Sequence, residues 1–416
     1  MLNSAIETVA PTRLGRGFRW LLSAAVINNI GDGIGLAAGP LLVASLTRDP
    51  LLVSMAALLQ RLPVLLLGFF AGAVVDRLDR RRIVVVVDVL RAAVLAVLAG
   101  MILAGWISIW AVLVAMFVLG CAETFADTAS STLLPGLVPR ADLGIANARM
   151  QGAFITANQL VGPPIGAFLF AAGMAWPFGV NAICFVLGAV LIAKMTIARV
   201  PVPAVAAQRS SVRSDIAEGV RWLWHNRPMR TLALTIVSFN VTFGAAWSVL
   251  VLYAEERLRM GPVGFGLLTT AGAVGGLIGT AAYGWLERRY DLADIMRVGL
   301  LIETFTHLTL ALARSSWLVL AVMVVFGAHA FVWGATSTTV RQRAVPDHLL
   351  GRVTSVYMMG LVGGLVVGAP LGGLLARWWG ITAPFWFGFA GSALLVVLLW
   401  REFANIVHSS EESGTG

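Results

Sequence analysis

Long apolar runs separated by short polar turns dominate this chain. Twelve of them can be marked: 18–46, 51–75, 83–105, 107–134, 143–172 and 175–198, then, after a longer break, 229–254, 262–286, 293–313, 316–342, 350–377 and 381–403. Each approaches or exceeds the roughly 20 residues that a helix needs to cross the hydrocarbon of a bilayer. Helices are the predicted form, because an isolated strand in lipid would leave its backbone donors and acceptors unpaired. The runs divide the chain into a tail (1–17), a six-span half (18–198), a connection (199–228), a second six-span half (229–403) and a second tail (404–416).

Composition agrees with this pattern. Of the 416 residues, 58% are hydrophobic and only 12% charged. A soluble domain usually carries about 25% charged residues. The mean hydropathy of +0.86 points the same way. Two cysteines, Cys121 and Cys184, both in apolar runs, offer no disulfide or metal framework. The opening MLNSAIETVAPTRLGRGFRW is polar and basic and leads into a run too long for a signal peptide core, so no cleavable signal is expected.

The net charge of +9 suggests nucleic acid or acidic lipid until the arginines are mapped onto loops. With the N-terminus placed in the cytoplasm, basic residues on inside loops outnumber those outside by about four to one. The expectation is therefore a multi-pass protein of the inner (plasma) membrane with both termini cytoplasmic and no nucleic-acid partner. In the connection, VPVPAVAAQRSSVRSD reads as a linker and SDIAEGVRWLWHNRP as an amphipathic helix along the membrane surface, capped by Ser214. The polar tails are expected to be disordered.

Shifting the chain against itself by 207 residues exposes a repeat. Gly120, Ser130, Thr132, Pro139 and Gly144 fall on Gly327, Ser337, Thr339, Pro346 and Gly351. Pro163 and Gly166 fall on Pro370 and Gly373, and Arg81 and Arg82 on Arg288 and Arg289. An even number of spans per half makes the repeats parallel, related by an axis along the membrane normal, with a cavity expected between them. The predicted fold class is all-α integral membrane, with twelve transmembrane helices in two parallel six-helix repeats.

The loop after the second span carries Gly72, Asp76, Arg77, Asp79, Arg80, Arg81 and Arg82. Such a mixed cluster can pair across a gap between helices and latch one conformation, with Asp76 also suited to a helix N-terminus. Arginines alone would serve a purely topogenic loop. With this GxxxDRxxRR pattern, twelve spans and two halves, the chain resembles the major facilitator superfamily over nearly its whole length. The resemblance implies a gate contact between Asp76 and the second half. There the Asp-Arg position falls on Tyr283-Gly284, a degenerate copy. NNIGDGIGLAAGPLL in span 1, VDVLR (87–91), LLPGLVPRADLGIANA, GPPIGA and AEGVRWLWHNRPMRTL resemble the exporter branch that includes enterobactin exporters and macrolide efflux pumps. That branch implies export of amphiphilic small molecules, usually driven by protons. One departure stands out: span 4 has no basic residue where drug/proton antiporters of the superfamily carry an Arg-led motif, so their coupling scheme does not carry over.

Charged residues within spans need a reason, because an unpaired charge in hydrocarbon is costly. Span 1 holds Asp32, with Asn28 one turn away on the same face and Asn29 beside it. Gly31, Gly33 and Gly35 are expected to loosen this helix. Asp32 is a candidate for proton coupling or substrate contact, or for a buried pair that fixes packing. Span 4 holds Glu123 and Asp127, one turn apart and able to share an exchangeable proton, or to serve gating or structure. Arg61 in span 2 is expected to pair with one of these carboxylates. Asp88 and Arg91 in span 3 are expected to form a local ion pair tied to the gate. Glu303 with His307 at one-turn spacing in span 9, and Asn181 and Asn240, are weaker candidates; His329, Asn158 and Gln159 are weaker still.

The glycine-rich stretches GAVGGLIG (272–279) and GLVGGLVVG (360–368) lie inside spans and lack the Lys-Ser/Thr of a nucleotide loop, so close helix packing is their expected role. With no hydrolase or metalloenzyme motif either, an enzyme is not expected. The functional expectation is a monomeric secondary-active exporter of amphiphilic, drug-like molecules, energised by a proton gradient, with no cofactor and no metal. A dedicated siderophore or metabolite exporter of the same fold is the alternative, and a non-transporting membrane scaffold a distant one.

Overall fold

The computed structural model describes residues 12–75, 77–195 and 212–403, and no strand occurs among the described residues. The first repeat consists of α1 (Gly15–Leu46), α2 (Pro50–Val75), α3 (Arg80–Leu103), α4 (Ile109–Leu133), α5 (Arg140–Ala172) and α6 (Trp176–Ala193). The connecting helix is α7 (Val212–His225). The second repeat consists of α8 (Arg227–Trp247), α9 (Pro262–Arg289), α10 (Leu292–Leu312), α11 (Ser316–Ala344), α12 (Asp347–Trp379) and α13 (Ala383–Leu399). Eleven of these are long and apolar enough to cross a membrane, and α13 is an apolar helix of 17 residues, at the short end of the spanning range.

Local chemistry marks the helix ends. Asp79 caps α3, its carboxylate accepting from the backbone N–H of Arg81 at 3.0 Å and of Arg82 at 3.2 Å. Ser108 caps α4, and Asn226 caps α8 by accepting from the Met229 N–H at 3.1 Å, with Pro228 in the first turn. Several helices run past the apolar stretch into arginines, as α9 does to Arg289, because helical hydrogen bonding does not stop where hydrocarbon ends. Within α5, Phe154–Val161 forms a π segment before Pro163 and Pro164.

The same neighbours recur in each repeat. In the first, α1 packs on α5 and α6, and α3 on α4 and α6; in the second, α8 packs on α12 and α13, and α10 on α11 and α13. Glycine permits the closest of these approaches. A Cβ on Gly33 of α1 would strike the Gly162 backbone of α5, and one on Gly275 of α9 would strike the α11 backbone at Val324. Gly33 therefore draws α1 against α5 rather than loosening it, contrary to the expectation. The glycines of 272–279 and 360–368 do serve close packing, against α11 and α8.

The chain folds as two compact units. The first comprises Met1–Thr47, Leu59–Ala204 and Gly261–Thr270, and the second Arg48–Leu58, Val205–Met260 and Ala271–Gly416. Within the second unit, the start of α2 is held by Arg48 paired with Glu255 and by Asp49 3.6 Å from Arg377, and Gly373 of α12 leaves room for Leu51 and Ser54. Within the first, the start of α9 rests Gly266 against Ala167. One apolar core of the first unit gathers Phe18, Leu22, Val84, Leu133 and Ile192; one of the second gathers Leu232, Met296, Trp333, Val353 and Phe403.

One expectation for the connection changes. The helix α7 begins at Val212, so Ser214 lies inside its first turn instead of capping it. The helix is also bound to protein: Arg352 at the start of α12 reaches Asp215 at 2.7 Å and Glu218 at 2.6 Å, and Gly219 sits on the Arg352 backbone.

Gly33→Leu is expected to destabilise the protein by roughly 1–3 kcal/mol, since the obstructing atoms are backbone and cannot move aside. Gly100→Ala on α3, where a Cβ meets nothing within 4 Å, is expected to be neutral or slightly stabilising. Thermal melts of the two variants in detergent check both.

Candidate functional site

Inside the first unit, α1, α3, α4, α5, α6 and the latter part of α2 enclose a cavity of about 200 Å³. Its wall carries four charged side chains: Asp32, Arg61, Arg91 and Glu123. Gln60, Asn158, Gln159 and Asn181 add uncharged polar groups, and Met116, Phe154, Phe178 and Phe185 supply apolar surface. Polar and aromatic groups thus share one wall, as in sites that take amphiphilic ligands.

Arg91 organises this wall. Its side chain is nearly buried, pairs with the Asp32 carboxylate, and has Nη1 3.9 Å from Asp88 Oδ1. Its guanidinium also lies 3.9 Å over the Phe185 ring. Asp88, with no solvent exposure, accepts from Asn28 Nδ2 at 2.8 Å. Asn28 and Asp32 stand one turn apart on α1, and Asp88 and Arg91 three residues apart on α3, so the two helices are joined by two polar rungs. Gly188 on α6 makes room for the Asn28 amide, and Gly31 on α1 for the Asn181 amide. The Asn181 carbonyl oxygen has no hydrogen-bond partner among the described residues.

The charges do not cancel. Asp32 and Glu123 on the wall and the buried Asp88 beside Arg91 supply three carboxylates against the two guanidiniums of Arg61 and Arg91. No set of His, Cys, Asp and Glu among the described residues is arranged to hold a metal ion.

A family model described as transmembrane secretion effector matches residues 6–413. The chain belongs to this family of major facilitator transporters. It is 31% identical over 369 residues to the multidrug efflux pump Tap of Mycolicibacterium fortuitum, covering 86% of this chain and 87% of that one. It is 25% identical over 363 residues to the macrolide efflux protein A of Streptococcus pyogenes, covering 85% and 87%. Its fold matches the crystal structure of the nucleoside transporter NupG with a TM-score of 0.77 at 11% identity, over 93% of this chain and all of that one.

The transporter's remaining predicted residues fall into distinct places. Asn29 turns to its own helix, donating to the Ala25 carbonyl at 2.7 Å. Asp127 stands one turn beyond Glu123 on α4, exposed on the unit and outside the cavity lining. Arg61 lines the cavity without the expected partner: no carboxylate among the described residues lies within ion-pair distance. The Asp88–Arg91 pair exists but is the longer of Arg91's two carboxylate contacts, and Arg91 also lines the cavity.

In the loop before α3, Asp76 lies outside the described residues. Gly72 lies in the last turns of α2, and Arg77 in the turn before α3. Arg80 donates to the Thr132 carbonyl at 3.1 Å, and Arg81 to the Ile192 carbonyl at 3.1 Å and to that of Ala193. These arginines therefore cap the carbonyl ends of α4 and α6 within the first unit. Asn240 bonds its own helix at Ile236. Glu303 and His307 lie in the second unit, apart from this cavity. Arg341, near the end of α11, is buried with its guanidinium 4.2 Å over the Tyr357 ring. Its sole advance signal was its place at the end of an apolar run.

Arg91→Met should leave Asp32 and Asp88 without their cation and cost roughly 3–5 kcal/mol. The triple variant Arg91→Met/Asp32→Asn/Asp88→Asn, with no buried charge in the pair, should recover most of the loss. Comparative melting in detergent checks the sign of the recovery.

Proposed function

We propose that this transporter exports amphiphilic, drug-like small molecules across the inner membrane by alternating access in exchange for protons, with both termini in the cytoplasm. The carrying observation is the surplus of carboxylates over guanidiniums at a cavity that is otherwise aromatic and amide-lined. In a low-dielectric site a surplus negative charge must be balanced. A proton on one carboxylate balances it, and so does a cationic or strongly polar substrate. Both need not be bound together, and that mutual exclusion is the elementary requirement for antiport. Asp32 is best placed to exchange roles: it lines the cavity and shares Arg91 with Asp88. Protonation of Asp32 would leave Arg91 to Asp88, and loss of the proton would restore the pair. Glu123 adds a second carboxylate on the same wall.

The names of the relatives support this direction, since a multidrug pump and a macrolide pump align over most of the chain. A dedicated siderophore or metabolite exporter has one observation in its favour. Arg61, exposed in the cavity and unpaired among the described residues, could hold an anionic substrate group.

In proteoliposomes with an imposed pH gradient, the wild type is expected to move a cationic dye against its gradient and to stop when a protonophore is added. Asp32→Asn should lower the driven rate at least about tenfold. Arg61→Gln should spare cationic dyes and reduce only acidic ones. Transport indifferent both to the pH gradient and to Asp32→Asn would exclude proton antiport through this site.

A further inference from the structure

The second unit buries its own group of ionisable side chains, none of which the cavity uses. Glu303 and His307 lie one turn apart on α10 with no solvent exposure, and His329 joins them from α11 with 4%. His307 Nδ1 is 3.2 Å from Glu303 Oε1 and 3.1 Å from the Glu303 main-chain oxygen. His329 Nε2 is 3.6 Å from Glu303 Oε2. The space is built for imidazoles: Gly299 abuts the His329 ring and Gly388 of α13 abuts the His307 ring, where any Cβ would collide. Trp247 of α8 meets His307 edge-on at 6.0 Å, and Trp333 meets His329 likewise at 6.0 Å.

No fixed cation balances the carboxylate. The helix α13 contains no titratable residue, and α8 carries only Arg227 and Arg230, at the end opposite Trp247. On α10 itself, Asp294 and Arg297 pair with each other at 2.9 Å near its start. On α11 the basic residues Arg341 and Arg343 lie three turns beyond His329. The titratable groups of α9, which packs behind α11, begin at Tyr283, beside Thr339. The group is therefore electrically neutral only when it holds one proton, either as carboxylate with one imidazolium or as carboxyl with two imidazoles. Without that proton a lone anion remains among aromatic rings, which is strongly unfavourable. Histidine is the side chain suited to exchange such a proton near neutral pH.

The group is also peculiar to the second repeat. The 207-residue offset carries Glu303, His307 and His329 back to Ala96, Gly100 and Ala122, and carries Asp32, Asp88 and Arg91 forward to Phe239, Ile295 and Val298.

We propose that Glu303, His307 and His329 form a second proton-binding site, independent of Asp32, whose occupancy ties α10 to α11 and makes transport respond to pH. The test uses the full-length protein in nanodiscs without substrate. An imidazolium beside an indole quenches its fluorescence, so acidification from about pH 8 to about pH 5, spanning the histidine range, should dim Trp247 and Trp333. Glu303→Gln and the double variant His307→Asn/His329→Asn should remove the pH-dependent part, while Asp32→Asn should keep it. In proteoliposomes at fixed pH difference, Glu303→Gln should change the dependence of efflux on absolute pH severalfold. If Glu303→Gln does not fold, His329→Asn is read by infrared difference spectroscopy between the same pH limits, where the carboxyl band of Glu303 should shift. Superposable fluorescence titrations in wild type and the histidine double variant, or a carboxyl band unmoved by His329→Asn, would overturn the proposal and leave the three residues as a hydrogen-bonded packing element.

Discussion

A guanidinium held inside membrane helices dictates much of what surrounds it. Arginine stays charged at any relevant pH, so Arg91 cannot escape the cost of burial by losing its proton. It must be met by carboxylates and by a polarisable ring, and Asp32, Asp88 and Phe185 meet it from three helices. Asn28 then has to satisfy Asp88, and Gly188 has to be small so that Asn28 fits. The relative rotation of α1, α3 and α6 follows from this chain of obligations. So does the cavity, because the face of α1 that carries Asp32 is the face turned inward. One buried cation with two acids also leaves a negative remainder, which a proton or a substrate can complete.

Close packing makes that arrangement rigid enough to matter. Gly33 set against Gly162 brings the backbones of α1 and α5 together beside the π segment that presents Asn158 and Gln159 to the cavity. A π segment costs hydrogen-bond quality, and such segments recur at functional sites. Its position fits a wall that has to show two consecutive amides where an α-helix would turn the second one away. The aromatic and amide surface is thus a product of backbone irregularity as much as of composition.

The twelve spans were legible because hydropathy is a property of each segment by itself. The described end of α5 falls at Ala172, as the apolar run predicts, while α8 starts two residues earlier than its run because Asn226 and Pro228 open the helix in polar surroundings. Spacing within one helix was also legible: Asn28 with Asp32, and Glu303 with His307, share a face as the one-turn interval requires. Partners on different helices were not. Arg91 looked committed to Asp88, three residues away, and only the rotation of α1 against α3 gives it Asp32. Arg61 looked destined for a carboxylate and has none within reach among the described residues. His329 lies more than twenty residues from Glu303 in sequence, and nothing in its local pattern announces the meeting. The glycines of span 1 were misjudged for the same reason: their value lies in what faces them.

The two repeats share helix order and neighbours, yet their ionisable groups stand at positions that do not correspond. In both, the third helix of the repeat carries the acid: Asp88 on α3 and Glu303 on α10. That helix packs on the fourth and sixth helices of its repeat in each case, and its acid lies on the face turned to them, while Val86, Val97 and Phe305 lie on the exposed side. The counterparts differ in kind. Arg91 gives the first repeat a permanent cation, so its electrostatics change only when a carboxylate takes up a proton or a ligand arrives. His307 and His329 set two imidazoles, and no guanidinium, beside the acid of the second repeat. Divergence after duplication thus placed a guanidinium beside the acid of one repeat and two imidazoles beside the acid of the other, at positions that do not correspond. On the two proposals made above, substrate charge is read in one repeat and ambient proton activity in the other, each through the kind of cation its acid faces.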